Sequence, residues 1–151
     1  MSPSRKTILN DQVEIYFENA HVTLYFNPNL HAVGTWFRPA ALGAGWNGTE
    51  TIKLALEKGL ELIKEKRATR WIADTREMPV MPPDAQQWCT EDWWPRALSA
   101  GFRWLAILLP GSILAKLAID EAIQASMEHA ESETRYFGTV EGAKEWLCSK
   151  P

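Results

Sequence analysis

Val13, Ile15 and Phe17 alternate with Glu14, Tyr16 and Glu18, a period of two that predicts a half-buried strand. The pattern resumes after an Asn19-Ala20 turn, with Val22, Leu24 and Phe26 set against His21, Thr23 and Tyr25. Asn27-Pro28-Asn29 punctuates the chain again, and Leu30–Phe37 reads as a third strand. Short strands joined by tight turns predict an antiparallel meander with one polar face. Residues 1–12 lack this period and read as a flexible N-terminus.

The period then changes. Arg38–Gly48 is a Pro/Gly-rich loop, and Ile52, Ala55, Leu56, Gly59, Leu60 and Ile63 follow at helical spacing. Thr49–Lys66 is therefore predicted as an amphipathic helix, with Asn47 or Thr49 as its cap and Glu50 placed to complete a capping box. Arg70–Thr75 reads as a strand, and Pro83 suits the first position of the next helix. Pro95 lies inside that helix, removes an N–H and disfavours helical geometry at Trp94. A kink or restart is expected at Asp92–Trp94, with the helix ending at Gly101.

Phe102–Leu109 is apolar almost throughout, as in a central strand covered on both faces. Ser112 opens a helical stretch to about His129, Thr134–Phe137 is a short strand, and Thr139 caps a last helix. Ala143, Trp146 and Leu147 would face the sheet from it. The order βββ-αβ-αβ-αβ-α predicts a single α/β domain over residues 13–151. Its mixed sheet would begin with the antiparallel meander and continue with parallel strands joined by right-handed crossovers.

Composition narrows the function classes. The net charge is −3 with dispersed Lys and Arg, so the chain carries no basic stripe of the kind that binds nucleic acid. Residues 1–10 lack the apolar core of a signal peptide, and the run Leu105–Leu109 is too short to span a bilayer. Cys89 and Cys148 do not make a disulfide framework. These features predict a soluble cytoplasmic protein with reduced thiols and no membrane span. Eight tryptophans are the anomaly, because each is large and needs a partner for its N–H when buried. They serve either as core or as the walls of a pocket or interface.

Strand–helix order, the Trp71-Ile-Ala-Asp74 strand end, Pro83-Asp84-Ala-Gln-Gln-Trp88 and Trp94-Pro95-Arg96-Ala97 form one set of signatures. Arg135-Tyr136-Phe137 and Ala143-Lys-Glu-Trp146-Leu147 close it. From about Val13 to Leu147 the chain resembles bacterial STAS/SEC14-type, SpoIIAA-like domain proteins. The resemblance implies a STAS-like α/β fold. The anti-sigma-factor antagonists among them carry a phosphorylatable Ser or Thr at the helix start after the Asp-ending strand. Here that place is Met81-Pro82-Pro83-Asp84, which has no hydroxyl, so the phosphorylation switch is expected to be absent.

Other candidate chemistry resolves toward binding. Gly43-Ala44-Gly45-Trp46-Asn47-Gly48 matches G-x-G-x-x-G but follows a meander and lacks the tight strand-to-helix turn of a dinucleotide site. Asp74 and Arg76 sit at a strand's carboxyl end, where they can pair, or Arg76 can hold an anion, or Asp74 can cap the loop. Cys89 has no base at helical spacing and reads as a small hydrophobe. His129 with Glu133, and His21 with His31 across the sheet, fall short of a metal set. No catalytic residue, cofactor or metal is assigned.

The candidate binding surface is Trp46, Asp74, Arg76, Trp88, Trp93 and Trp94. The leading expectation is a non-catalytic STAS-like regulatory module that meets a protein partner, or a second copy as a homodimer, through residues 74–94. The alternative is a carrier of an apolar small molecule, and an enzyme of unknown reaction is the third. A partner surface requires exposed aromatics on a flat patch. A carrier requires a cavity, commonly of roughly 300 Å³ or more.

Overall fold

A computed structural model describes residues 4–37, 48–77, 82–110 and 133–151. Among them, seven strands form one mixed sheet whose spatial order is their chain order. They are β1 (Arg5–Ile8), β2 (Asp11–Glu18), β3 (Val22–Asn27), β4 (Ala32–Phe37), β5 (Arg70–Asp74), β6 (Trp104–Leu108) and β7 (Glu133–Phe137). β1 to β4 pair antiparallel, and β4 to β7 pair parallel. The antiparallel meander leading into parallel strands is as the periodicity predicts. The predicted Ser112–His129 helix and the Gly43–Asn47 part of the glycine motif lie outside the described residues.

β1 is an addition, because the pattern reads residues 1–12 as flexible. Leu9 and Asn10 both have positive φ, 52° and 68°, and close a two-residue hairpin from Ile8 to Asp11. That geometry is a type I′ turn. Leu9 stands where Asn, Asp or Gly is usual, which conceals the hairpin from its sequence. In β2 the register slips between Ile15 and Phe17. Val13 and Ile15 consequently pack with Tyr25, while Phe17 joins the opposite face.

The expected polar face of the meander is kept in β2, where Gln12, Tyr16 and Glu18 are exposed, but not in β3, which is buried at every position. Helices cover both faces, and on one of them Leu9 of the β1–β2 turn joins the cluster that holds Ile72 and Ala106. Two buried polar residues on that face find partners. Thr23 donates to Glu18 at 2.7 Å, and Asn27 donates to Asp11 at 2.9 Å while accepting the N–H groups of Asn29 and Leu30. Burial acts to raise the Asp11 carboxyl, but hydrogen bonds from Asn27, Lys144 and Asn29 outweigh it and hold the group below its usual range.

Helix α1 (Gly48–Lys66) buries Ile52, Ala55, Leu60 and Ile63 against the sheet. It stops at Arg67 (φ 53°), where the Ala68 N–H reaches back to the Ile63 carbonyl at 3.1 Å, a Schellman closure. The second helical segment corrects the expected break. It comprises α2 (Pro83–Trp88), a π-helical turn (Cys89–Trp93) and α3 (Trp94–Ser99). The Trp94 N–H bonds to the Cys89 carbonyl, five residues back. Widening the ladder just before Pro95 relieves the clash of its ring with the preceding turn, so Trp94 keeps helical angles (φ −58°, ψ −47°). Gly101 (φ 108°) then ends the segment, with Phe102 N–H bonded to the Ala97 carbonyl at 3.0 Å.

Helix α4 (Val140–Cys148) covers the opposite face. Thr139 caps it as predicted, accepting the Gly142 N–H at 3.2 Å, and Ala143 and Leu147 bury against Ile72, Ala106 and Leu108. Lys144 ties this helix to the hairpin through Asp11 at 2.9 Å and the Leu9 carbonyl at 3.0 Å. No described helix is long and apolar enough to cross a membrane.

Candidate functional site

The pleat sends Thr35, Trp71, Ala73, Leu105 and Ile107 to the face that α1 and the π-turn cover. Ile52 and Leu56 come from α1, and Cys89, Trp93 and Trp94 come from the second helical segment. Between them lies a cavity of about 90 Å³. Its walls are almost wholly apolar, although Thr35, Thr75 and Cys89 are among the residues that line it. Thr75 donates to the Leu108 carbonyl at 2.9 Å. Burial pushes the Cys89 thiol up to about 12, which keeps it protonated and unreactive.

The aromatic wall is fixed by its own geometry. Trp71 meets Trp93 edge-to-face with ring centroids 5.5 Å apart, and Trp93 meets Trp94 at 5.7 Å. Phe102 packs edge-on against all three. The Trp71 indole donates to Thr35 Oγ1 at 3.1 Å, and the Trp93 indole donates to the Leu56 carbonyl at 2.8 Å. Gly59 on α1 gives the six-membered ring of Trp71 its seat, because a Cβ there would overlap that ring. Rings held this way cannot collapse into the cavity without losing hydrogen bonds or edge contacts.

Asp74 and Arg76 lie on the other face. Arg76 grips Asp74 through Nε at 2.9 Å and Nη2 at 2.8 Å, and its backbone N–H bonds to the same carboxylate at 3.2 Å. Pairing and loop capping therefore occur together. The hydrogen bond to Asp74 raises the Arg76 guanidinium above its usual range, so it stays charged. Beside the pair is a recess of about 220 Å³ lined by Thr7, Ile8, Leu9 and Trp36. Tyr25, fully buried on this face, has its hydroxyl raised by burial and then by the negative charges of Asp74 and Asp11.

The candidate residues that are described do not make one surface. Trp93 and Trp94 are each 2% exposed and belong to the core, because the π-turn rotates both inward where a proline break would have turned them out. Trp88 is half-buried, with the Lys53 ammonium 5.6 Å from its ring centroid. The sheet separates these tryptophans from Asp74 and Arg76. Trp46 lies outside the described residues. His21 and His31 flank opposite ends of β3 and so do not meet; His31 instead bonds the Lys66 carbonyl. Glu133 pairs with Arg135 at 3.3 Å, and its suggested companion His129 lies outside the described residues.

Thr35, Ala73, Thr75 and Ile107 were not legible as site residues. The alternation of Thr35 with Gly34 and Trp36, and the glycine within the apolar stripe of α1, are the signals that bear on them. No family model, curated protein or solved structure matches the chain.

Proposed function

We propose that this protein is a non-catalytic binding domain that takes a small apolar molecule into the tryptophan-walled cavity. The supporting observation is the cavity itself, an apolar space of about 90 Å³ kept open by anchored indoles. It is smaller than the roughly 300 Å³ of common ligand pockets and closer to the engineered apolar cavities of about 150 Å³ that take benzene. The ligand class is accordingly a single ring or a short aliphatic chain.

A second reading is a STAS-like regulatory module that docks a protein, or another copy of itself, through residues 74–94. Half-buried Trp88 favours it. Among the described residues, however, the exposed large hydrophobics are Tyr16 (40%) and Leu54 (39%), and neither lies in that segment. The cavity therefore carries more weight.

Titration with benzene, read by tryptophan fluorescence and amide chemical shifts, tests the first reading. Saturable binding with a Kd of about 1 mM, some −4 kcal/mol, is expected. Ala73→Leu, which places a side chain in the cavity, should abolish it. A flat titration, or an unaltered response in the filled variant, would exclude the cavity as the site.

A further inference from the structure

We propose that the recess beside Asp74 and Arg76 is a second binding site, which takes a small organic carboxylate with an apolar body and holds it by the Arg76 guanidinium. It lies across the sheet from the tryptophan-walled cavity and does not depend on the reading given to that cavity. The geometry of the ion pair decides which charge a ligand meets. The Asp74 side chain is 5% exposed and both of its oxygens accept from Arg76, Oδ1 from Nε and the backbone N–H and Oδ2 from Nη2. The Arg76 side chain is 38% exposed and engages only its Nε–Nη2 edge in this pairing. Its other edge, formed by Nη1 and the second N–H of Nη2, has no acceptor among the described residues. Two parallel N–H groups of this kind match the two oxygens of a carboxylate.

The exposed member of the pair is therefore the cation, and Asp74 holds it in one pose, so little side-chain freedom is left to lose when a ligand binds. The remaining walls argue for an organic anion over an inorganic one. Ile8, Leu9 and Trp36 line the recess of about 220 Å³ together with Thr7. Register sets Trp36 on β4 directly beside Asp74 on β5, which brings the indole next to the ion pair. Ile8 and Leu9 come from the β1–β2 hairpin, whose turn Lys144 anchors through the Leu9 carbonyl at 3.0 Å and Asp11 at 2.9 Å. Apolar walls with one cationic corner suit a carboxylate that carries a ring or a short chain. The carboxyl end of a parallel strand, where Asp74 stands, is also where open α/β sheets bind their ligands.

Benzoate, acetate and benzylamine, titrated into the intact protein at neutral pH and followed by amide chemical shifts, separate the parts of this proposal. Benzoate should bind saturably, with shifts at Thr7, Trp36 and Arg76 and none at Leu56 or Cys89, which line the cavity. Acetate has the charge without the ring and should bind about tenfold more weakly. Benzylamine has the ring with the opposite charge and should not bind. Arg76→Lys keeps a charge but loses the paired N–H groups, and should weaken benzoate about tenfold. Since that change also disturbs Asp74, the ranking of the three probes on the wild-type protein is decisive even where the variant does not fold. Absence of saturable benzoate shifts at Thr7, Trp36 and Arg76 would overturn the proposal, as would acetate binding as tightly as benzoate or benzylamine binding at the same amides. None of these results bears on benzene binding in the cavity, so the two sites stand or fall separately.

Discussion

Tyr25 shows how a single residue can serve packing at the expense of polar satisfaction. Its ring lies against Gly34, its cross-strand partner, where a Cβ would overlap the ring. The hydroxyl is fully buried and meets no partner among the described residues. An unsatisfied buried hydroxyl costs roughly 1–3 kcal/mol, so Tyr25→Phe, which keeps the ring, is expected to stabilise the protein by about 1 kcal/mol. Urea denaturation monitored by circular dichroism checks this, and a lower midpoint in the variant would refute it. At this scale the sequence was partly legible. The two-residue spacing of Asp74 and Arg76 left a pair and a loop cap open as alternatives, and both form, because such contacts are local. The bond between Trp71 and Thr35 joins residues on different strands and depends on a register that no local pattern contains.

At the scale of elements, the second helical segment and α1 each accommodate a tryptophan, one by a widened turn and the other by omitting a side chain. The π-turn stands before Pro95, and Gly59 lies in the middle of an unbroken α1. Gly59→Ala is the informative change, because helix propensity alone favours alanine by about 1 kcal/mol. Overlap of the new methyl with the Trp71 ring opposes that gain, and overpacking a close-packed site typically costs about 1–3 kcal/mol. We expect a net loss of about 1 kcal/mol in thermal or urea denaturation, together with altered tryptophan fluorescence as the ring is displaced. A stabilised variant with unchanged emission would show that the seat is not tight. Helix periods and caps were readable here, as Pro83, Gly101 and Thr139 demonstrate. The inward turn of Trp93 and Trp94 was not, because proline has two remedies in a helix, a break or a widened turn, and the surrounding core decides between them.

Over the whole molecule, the alternation of strands and helices correctly indicated a mixed α/β sheet, while the partition of candidate residues between its faces emerged only from pairing and register. Asp74 and Trp71 are three residues apart and serve opposite sides of the sheet. The spatial order of the strands, identical to their order in the chain, also bears on how the sheet is made. No described strand must be inserted between two that precede it in the sequence, so the sheet can grow by addition at one edge. The hairpins β1–β2, β2–β3 and β3–β4 close the shortest loops and carry the smallest entropic cost, whereas each parallel addition waits for a longer crossover. Folding should therefore advance from the N-terminal meander toward β7. Pulse-labelled hydrogen exchange during refolding would follow this directly, with β3 and β4 amides expected to gain protection no later than those of β6 and β7. Earlier protection of β6 and β7 would place the nucleus in the parallel half. A chain assembled in this direction could begin to organise its sheet on the ribosome, before its last strand and helix had been synthesised.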